Sequence, residues 1–212
     1  MPTDFASAQL ALDLVGVFVF GLSGGLVAVK KRFDLVGVLA LACVAGLGGG
    51  IVRDLLIGAV PPVGISDWRL LAAAALGGLA TFFFQPGIER IGRLVKVLDA
   101  GGLGAFAVTG SLKAATTLGV SPIAAVLVGV VTAVGGGLLR DLLAGQVPEV
   151  LRRELYAVPA LLGAIIVVVA VDHGVLRLWM LWSAAALVAG VRLIAIRLDL
   201  NAPTPLRSNP PA

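Results

Sequence analysis

Two copies of one short motif place an arginine and an aspartate directly after three glycines inside apolar segments. The first copy, GGGIVRDLL, covers residues 48–56, and the second, GGGLLRDLL, covers residues 135–143. Charged side chains within membrane segments are costly, and they usually pair with one another, with backbone carbonyls or with water along a solute pathway. If these segments cross a membrane, the motif indicates handling of a charged solute rather than covalent catalysis.

Few residues are available for enzyme chemistry. The chain has one cysteine, Cys43, and one histidine, His173. These two residues cannot supply a disulfide or a His/Cys metal cluster, and they leave little for a nucleophile–base pair. We therefore expect neither an enzyme nor a metal centre.

The composition predicts a membrane protein. Of 212 residues, 59% are hydrophobic and 13% are charged, and the mean hydropathy is +1.06. Soluble domains carry about 25% charged residues, so this chain has too few to cover a soluble surface. The net charge of +4 comes without a basic run interleaved with aromatics, so we expect no nucleic-acid partner.

Seven apolar segments approach the length of about 20 residues that a membrane-spanning helix needs. Continuous runs such as 164–171 exclude the alternating pattern of a β-barrel. The predicted fold is an all-α integral membrane protein with seven transmembrane helices, arranged as two inverted three-helix repeats plus a seventh helix. The predicted segments are Leu10–Val29, Leu35–Ile57, Leu70–Phe84, Leu98–Thr117, Pro122–Ala144, Leu155–Val171 and Leu178–Ile196.

Basic residues are unevenly divided between the two ends of these segments. Eleven follow segments one, three, five and seven: Lys30, Lys31, Arg32, Arg90, Arg93, Lys96, Arg152, Arg153, Arg192, Arg197 and Arg207. The opposite ends carry Arg69 and Arg177. Cytoplasmic loops are enriched in Lys and Arg, so the N-terminus is predicted outside and the C-terminus in the cytoplasm.

The two motifs belong to a longer internal repeat. The GGGxxRDLL copies are 87 residues apart, while Asp13 matches Asp99 and Ser23 matches Thr109 at an offset of 86. Three segments per copy is an odd number, so the second copy must enter the membrane from the opposite side, as in many transport proteins. We expect one transmembrane domain over 1–200, with repeats at about 10–86 and 98–171, a seventh helix at about 178–197, and a disordered tail at 201–212.

The glycine triplets have two interpretations. Glycine frees the backbone and lowers helix stability, which favours a kink or hinge at Gly48–Gly50 and Gly135–Gly137. Close helix packing is the alternative. After a break, Asp54 and Asp141 would lie in the first turn of a new half-helix, where a carboxylate complements the helix dipole.

Other charged and polar residues also fall within the segments. Lys113 lies about 22 Å from the cytoplasmic end of its helix by helical rise, near the depth of Gly48–Gly50. Carbonyls released at these glycines are a candidate partner for its ammonium. Snorkelling of the side chain to the interface is the alternative. Arg53 and Arg140 either pair with nearby acids or anchor at the interface. Ser23 and Thr109 offer hydroxyls to a pore or bond to their own helices. Asp13 and Asp99 match in the two repeats and could also cap helix starts.

With these motifs, the 3 + 3 + 1 arrangement and the basic-loop pattern, the sequence resembles prokaryotic members of the trimeric intracellular cation channel (TRIC) family. The resemblance covers roughly Leu10 to Leu198. It implies a multi-pass protein of the cell (inner) membrane, a homotrimer among lipids, and a monovalent-cation channel mainly for K⁺. It implies no cofactor and no metal beyond permeating K⁺ or Na⁺.

The resemblance also assigns roles within a pore that each protomer carries around segments two and five. It implies hinges at the glycines, a pore lined in part by hydroxyls, a control charge in the ion path, and supporting charges. The hinges are Gly48, Gly49, Gly50, Gly135, Gly136 and Gly137, and the hydroxyls are those of Ser23 and Thr109. The control charge is Lys113. The supporting charges are Arg53, Asp54, Arg140, Asp141, Asp13 and Asp99. A former family name that suggests glycine transport keeps a secondary carrier of a small solute, such as an amino acid, as the alternative.

Overall fold

The computed structural model describes residues 3–84, 88–152 and 156–200, and this part of the chain is helical, with no strand. Seven helices have 16 residues or more: α1 (Thr3–Lys30), α2 (Leu35–Leu56), α4 (Trp68–Phe83), α5 (Ile88–Ala115), α6 (Pro122–Leu143), α8 (Ala157–Asp172) and α9 (Leu178–Arg197). Two single-turn helices are α3 (Val63–Ser66) and α7 (Glu149–Arg152). The predicted all-α fold is confirmed.

Each predicted segment coincides with one long helix, but α1 and α5 begin well before the predicted segments. α1 starts at Thr3 and α5 at Ile88, because helix geometry continues into residues that are too polar to mark a membrane segment. By length and composition, α1, α2, α6 and α9 are long and apolar enough to cross a membrane, while α4 and α8 are apolar but shorter. The seven-span topology stays a prediction.

Matching signals delimit the central helices of the two repeats. The Asp34 carboxylate accepts a hydrogen bond from the Gly37 N–H, 2.8 Å away, at the start of α2. The Ser121 hydroxyl accepts from the Ala124 N–H, 3.3 Å away, at the start of α6. Side-chain acceptors at these positions satisfy the free N–H groups of a helix end. Gly58 and Gly145 follow the two helices with φ of 71° and 64°, a conformation that glycine adopts without strain.

The helices pack with the same partners in both halves. α1 contacts α2 and α4, and α5 contacts α6 and α8; the halves meet through α1 against α5 and α2 against α6. α9 stands outside this scheme and packs against α5 and α8. Large apolar side chains such as Leu76 and Leu127 are exposed on the outside, as expected where lipid replaces water.

The crossing of α2 and α6 shows how the repeats are related. A Cβ built on Gly49 would lie 2.2 Å from the carbonyl oxygen of Thr132, and one on Gly136 would lie 2.2 Å from that of Ala45. Thr132 and Gly136 are the repeat counterparts of Ala45 and Gly49, so the contact is reciprocal, as a two-fold axis requires. The contact partners run in opposite order along the chain, and the two helices are therefore antiparallel here.

Candidate functional site

The first charged site, which we call the Arg53 cluster, consists of Asp13, Arg53, Asp54, Thr109 and Lys113. Arg53 Nε donates to Asp54 Oδ1 at 2.8 Å, and Lys113 Nζ donates to the same oxygen at 2.7 Å. Arg53 Nη1 lies 3.6 Å from Asp13 Oδ1, and neither of these two atoms has a hydrogen-bond partner within the described residues. The Thr109 hydroxyl lies beside the Asp13 carboxylate. Part of this cluster is therefore loosely bonded.

Lys113 connects the two repeats at this site. It belongs to α5, whereas Asp54 is near the end of α2, and the lysine side chain retains 19% of its exposure. Carbonyls released at Gly48–Gly50 are the predicted partner of Lys113. This prediction is wrong for this structure, because the Lys113 ammonium donates to the Asp54 carboxylate instead. Pairing with Asp54 rather than free snorkelling fixes the position of the charge.

The second charged site, the Arg140 cluster, consists of Ser23, Asp99, Arg140, Asp141 and Tyr156. Arg140 Nε donates to Asp141 Oδ1 at 2.8 Å, and Arg140 Nη1 donates to Asp99 Oδ1 and to the Ser23 hydroxyl. The Tyr156 hydroxyl donates to Asp99 Oδ2. Both Asp99 oxygens thus have protein donors, and this cluster is closed.

The local chain path explains why each motif contains Arg-Asp. Asp54 Oδ2 accepts the Val63 N–H at 2.8 Å, and Asp141 Oδ2 accepts the Glu149 N–H at 3.1 Å. Val63 and Glu149 are the first residues of the short helices α3 and α7. Each aspartate therefore holds the following short helix with one oxygen and its neighbouring arginine with the other.

Two alternatives for the buried polar residues are wrong. Asp13 and Asp99 lie well inside α1 and α5, not at helix starts, so they cap nothing. Arg53 and Arg140 are 3% and 1% exposed, so they are not interfacial anchors. A guanidinium is buried in this way only when carboxylates neutralise it, and the aspartates of both motifs do so.

The glycine triplets do not break their helices. α2 and α6 lie wholly within the described residues and continue as α-helix through Gly48–Gly50 and Gly135–Gly137. The expected release of backbone groups is therefore wrong for this structure, and the reciprocal contact of Gly49 and Gly136 with opposing carbonyls accounts for the absence of side chains there. Hinge motion during conduction stays a prediction.

The third glycine of each triplet faces the charged cluster of its own repeat. A Cβ on Gly137 would lie 2.9 Å from the Tyr156 hydroxyl, while one on Gly50 would meet only Arg53 Nη2, 3.8 Å away. Beside Gly50 is a cavity of about 10 Å³ that Asp13, Arg53 and Phe106 also line. The tyrosine thus fills space in one repeat that stays open in the other.

An aromatic pair lies at the centre of the molecule. Phe20 and Phe106 are repeat counterparts, buried and stacked with ring centroids 5.5 Å apart. Phe106 lines the cavity at the Arg53 cluster, and Phe20 lies against Gly136. The two phenylalanines are separated by the same 86 residues as Asp13 and Asp99, but the sequence alone assigned them no role.

A cavity of about 550 Å³ leads to the Arg140 cluster. It opens at the end of the bundle where α1 finishes and α5 begins, and its lining includes Lys30, Arg93, Lys96, Arg140, Asp141 and Glu149. Asp141 lines this cavity, whereas the cavity beside the Arg53 cluster measures only about 10 Å³.

Two residues near the Arg140 cluster were missed. Tyr156 is the single tyrosine of the chain, yet it lies outside both motif copies. Arg192, counted among the loop residues, is fully buried in α9 with its guanidinium 4.7 Å from the centroid of the Tyr156 ring. Arg90, Arg93 and Lys96 also lie in α5 rather than in a loop. Removing Arg192 from the eleven basic residues leaves the predicted orientation unchanged.

The comparisons with known proteins assign the family. A family described as "Glycine transporter" matches residues 10–86 and 96–172. The chain belongs to the TRIC family. It is 46% identical over 202 residues to a UPF0126 membrane protein of Streptomyces coelicolor, covering 95% of this chain and 92% of that protein. It is 39% identical to the UPF0126 inner membrane protein YadS of Escherichia coli, over 73% of this chain and 75% of YadS.

Solved structures of TRIC channels match nearly the whole chain. A structure that describes conductance through TRIC cation channels is 37% identical, with a TM-score of 0.83 over 94% of this chain and 98% of that one. The TRIC orthologue from Rhodobacter sphaeroides, a trimeric intracellular cation channel, is 38% identical, with a TM-score of 0.84 over 91% and 98%. The TRIC protein is therefore a multi-pass membrane protein whose matched structures are channels rather than enzymes.

Proposed function

We propose that the protein is a passive channel for monovalent cations, mainly K⁺, with one pore in each protomer of a homotrimer. The observation that carries this proposal is the pair of charged clusters on either side of the Phe20–Phe106 stack, one of them reached by a cavity of about 550 Å³. The likeness to TRIC cation channels over more than nine-tenths of the chain supports the same conclusion.

The pore runs from the large cavity past the Arg140 cluster, between the two phenylalanines, and out past the Arg53 cluster. Apolar constrictions gate ion flow by excluding water, so the stacked rings and the crossing of α2 and α6 represent a closed state. Conduction requires the rings to separate and the arginines to turn from the path, which leaves the aspartates and hydroxyls to contact cations.

Lys113 controls the end of the pore at the Arg53 cluster. Its ammonium repels cations and, while bound to Asp54 at 2.7 Å, it keeps that carboxylate from attracting them. The N-terminus and the Lys113 end face outward and the C-terminus faces the cytoplasm. No cofactor is required, and without a ring of selectivity-filter carbonyls we expect weak discrimination between K⁺ and Na⁺.

Recording in planar bilayers tests the proposal. Purified protein under a KCl gradient should give discrete current steps whose reversal potential lies near that of K⁺. Replacing half of the K⁺ with Na⁺ should shift the reversal potential only slightly if selectivity is weak. A reversal potential near that of Cl⁻ would contradict a cation channel.

The same preparation distinguishes a channel from a carrier. Proteoliposomes loaded with K⁺ should release it down its gradient without saturation. Saturable glycine uptake that depends on an ion gradient, without unitary currents, would instead favour the carrier that the family's description suggests.

A further inference from the structure

The seventh long helix carries a fully buried arginine that neither repeat contains. Arg192 lies in α9, and its side chain is 0% exposed. A buried guanidinium in a membrane protein is costly and usually marks a functional position. The neighbours of Arg192 therefore indicate what α9 contributes to the molecule.

Arg192 contacts both flanks of the segment that contains α7. Its guanidinium lies over the Tyr156 ring, 4.7 Å from the centroid, and Nη2 lies 3.7 Å from Glu149 Oε2. Both residues also bind an aspartate of the Arg140 cluster: the Glu149 N–H donates to Asp141, and the Tyr156 hydroxyl donates to Asp99.

We propose that Arg192 is a positioning residue that holds the Arg140 cluster closed by clamping Glu149 and Tyr156. A guanidinium over an aromatic ring is attracted by the ring quadrupole, and the attraction grows when both groups are removed from water. With both residues held, the donors of Asp99 and Asp141 stay in place. This inference rests on the proposed channel function.

Among the described residues of repeat one, no equivalent clamp is found. Asp67 precedes α4 as Tyr156 precedes α8, but its carboxylate caps α4 by accepting the Arg69 N–H, in an exposed loop. α9 packs against α5 and α8 of the second repeat, and the described residues of the first repeat contain no corresponding helix. The clamp thus acts at one end of the pore.

Single-channel recording of Arg192→Gln, Arg192→Lys and Tyr156→Phe tests the clamp. Arg192→Gln should raise the ratio of open to closed times about tenfold, the factor that a desolvated cation–π contact of about 1.4 kcal/mol represents. Tyr156→Phe keeps the ring under the guanidinium but removes the hydroxyl that donates to Asp99, so it should raise the ratio at least as much. The current through an open channel should not change. Arg192→Lys keeps a cation over the ring and should restore most of the closure.

A double variant and a matched control separate positioning from general damage. Arg192→Gln combined with Tyr156→Phe should open little more than the more open of the two single variants, because Arg192 acts on Asp99 through the Tyr156 hydroxyl. Arg197→Gln, on an exposed residue of the same helix, should behave as the native protein. An unchanged or lowered open ratio in Arg192→Gln, or multiplied effects in the double variant, would overturn the proposal.

Hydrogen exchange gives a reading that does not depend on ion flow. The backbone amides of residues 144–152, including the Glu149 N–H bound to Asp141, should exchange about tenfold faster in Arg192→Gln, since the factor of ten in the opening equilibrium carries over. Unchanged exchange in Arg192→Gln would reject the clamp. If the native protein passes no current, the proposed channel is rejected, but hydrogen exchange still tests the clamp. If Arg192→Gln does not fold, Tyr156→Phe alone decides by the same two measurements.

Discussion

The Arg53 and Arg140 clusters come from duplicated positions but are bonded differently. In each, an arginine binds the aspartate that follows it at 2.8 Å, and that aspartate holds a short helix. The Arg140 cluster adds Tyr156, so Asp99 has protein donors on both oxygens. The Arg53 cluster instead leaves Asp13 Oδ1 3.6 Å from the guanidinium and adds a partly exposed lysine. Duplication thus supplied a common frame, and single residues outside the motif made its two ends unequal.

This inequality predicts which end opens more easily. Fully satisfied buried networks are stiff, and removing one member leaves an uncompensated charge. When Lys113 leaves, water can solvate its partly exposed side chain, and the buried Asp54 carboxylate keeps Arg53 and the Val63 N–H as donors. The Lys113–Asp54 pair therefore opens more readily than the Arg140 cluster, and the following variants test that difference.

The largest effect should come from Arg140→Gln compared with Arg53→Gln. Removing one partner of a buried ion pair costs about 3–5 kcal/mol, and Arg140→Gln deprives both Asp99 and Asp141 of their cation. After Arg53→Gln, Asp54 still has Lys113 and the Val63 N–H, so the loss should be smaller. Thermal unfolding in detergent measures both, and equal shifts would contradict the proposed inequality.

Alanine at the helix crossing tests what the repeats share. Gly49→Ala and Gly136→Ala each place a Cβ 2.2 Å from a carbonyl oxygen, so both should lower the free energy of unfolding, by about 1–3 kcal/mol for overpacking. Gly50→Ala is the matched control, because its Cβ would meet only Arg53 Nη2 at 3.8 Å. A similar melting temperature for all three would favour a flexible hinge over a packed crossing.

Sequence reasoning found the shared frame and missed most of the inequality. The sequence could identify the repeated Arg-Asp pair, Asp13 with Asp99, and Ser23, because duplicated positions are recognised when the two copies are aligned. All of these residues lie in the clusters. Tyr156 and Arg192 have no repeat counterpart to mark them, and a basic residue near the end of α9 resembles an ordinary loop cation.

The glycine triplets show a different limit of the sequence. A glycine that allows two helices to touch and a glycine that allows a helix to bend have the same identity and spacing. Only the distance from Gly49 to the Thr132 carbonyl distinguishes them, and that distance depends on how α6 packs against α2.

Moving the lysine between repeats tests the gate directly. Lys113→Ala should raise the single-channel current about twofold to fivefold, the factor for an ion pair of about 0.5–1 kcal/mol, while Lys113→Arg keeps the charge and the native current. Val27 occupies the matching position of repeat one and lines the cavity beside Asp141. Val27→Lys in the Lys113→Val background should therefore restore the block from the opposite end.

The chamber from which an added cationic blocker competes with the lysine identifies the end of the pore that carries the lysine. A small cationic blocker added to one chamber should compete with the lysine at the near end alone, so the native protein and the exchanged variant should respond to opposite chambers. Identical currents in the native, Ala and Arg forms would show that Lys113 is an anchor outside the ion path.

The smallest effect should come from Asp67→Asn, at the residue that precedes α4 as Tyr156 precedes α8. The exposed Arg69 guanidinium donates to the Asp67 carboxylate at 2.7 Å and lowers its pKa below the ordinary 3.8. Since the folded state has the lower pKa, the charge stabilises the protein above pH 3.8, and this contribution disappears as the pH falls through 3.8 and the lower folded value. Asparagine still caps the helix, so Asp67→Asn should lower the melting temperature slightly at pH 7, by less as the pH falls below 3.8, and leave the open ratio unchanged. An open ratio raised as much as in Tyr156→Phe would mean that both positions gate the pore, and the clamp would no longer belong to one end.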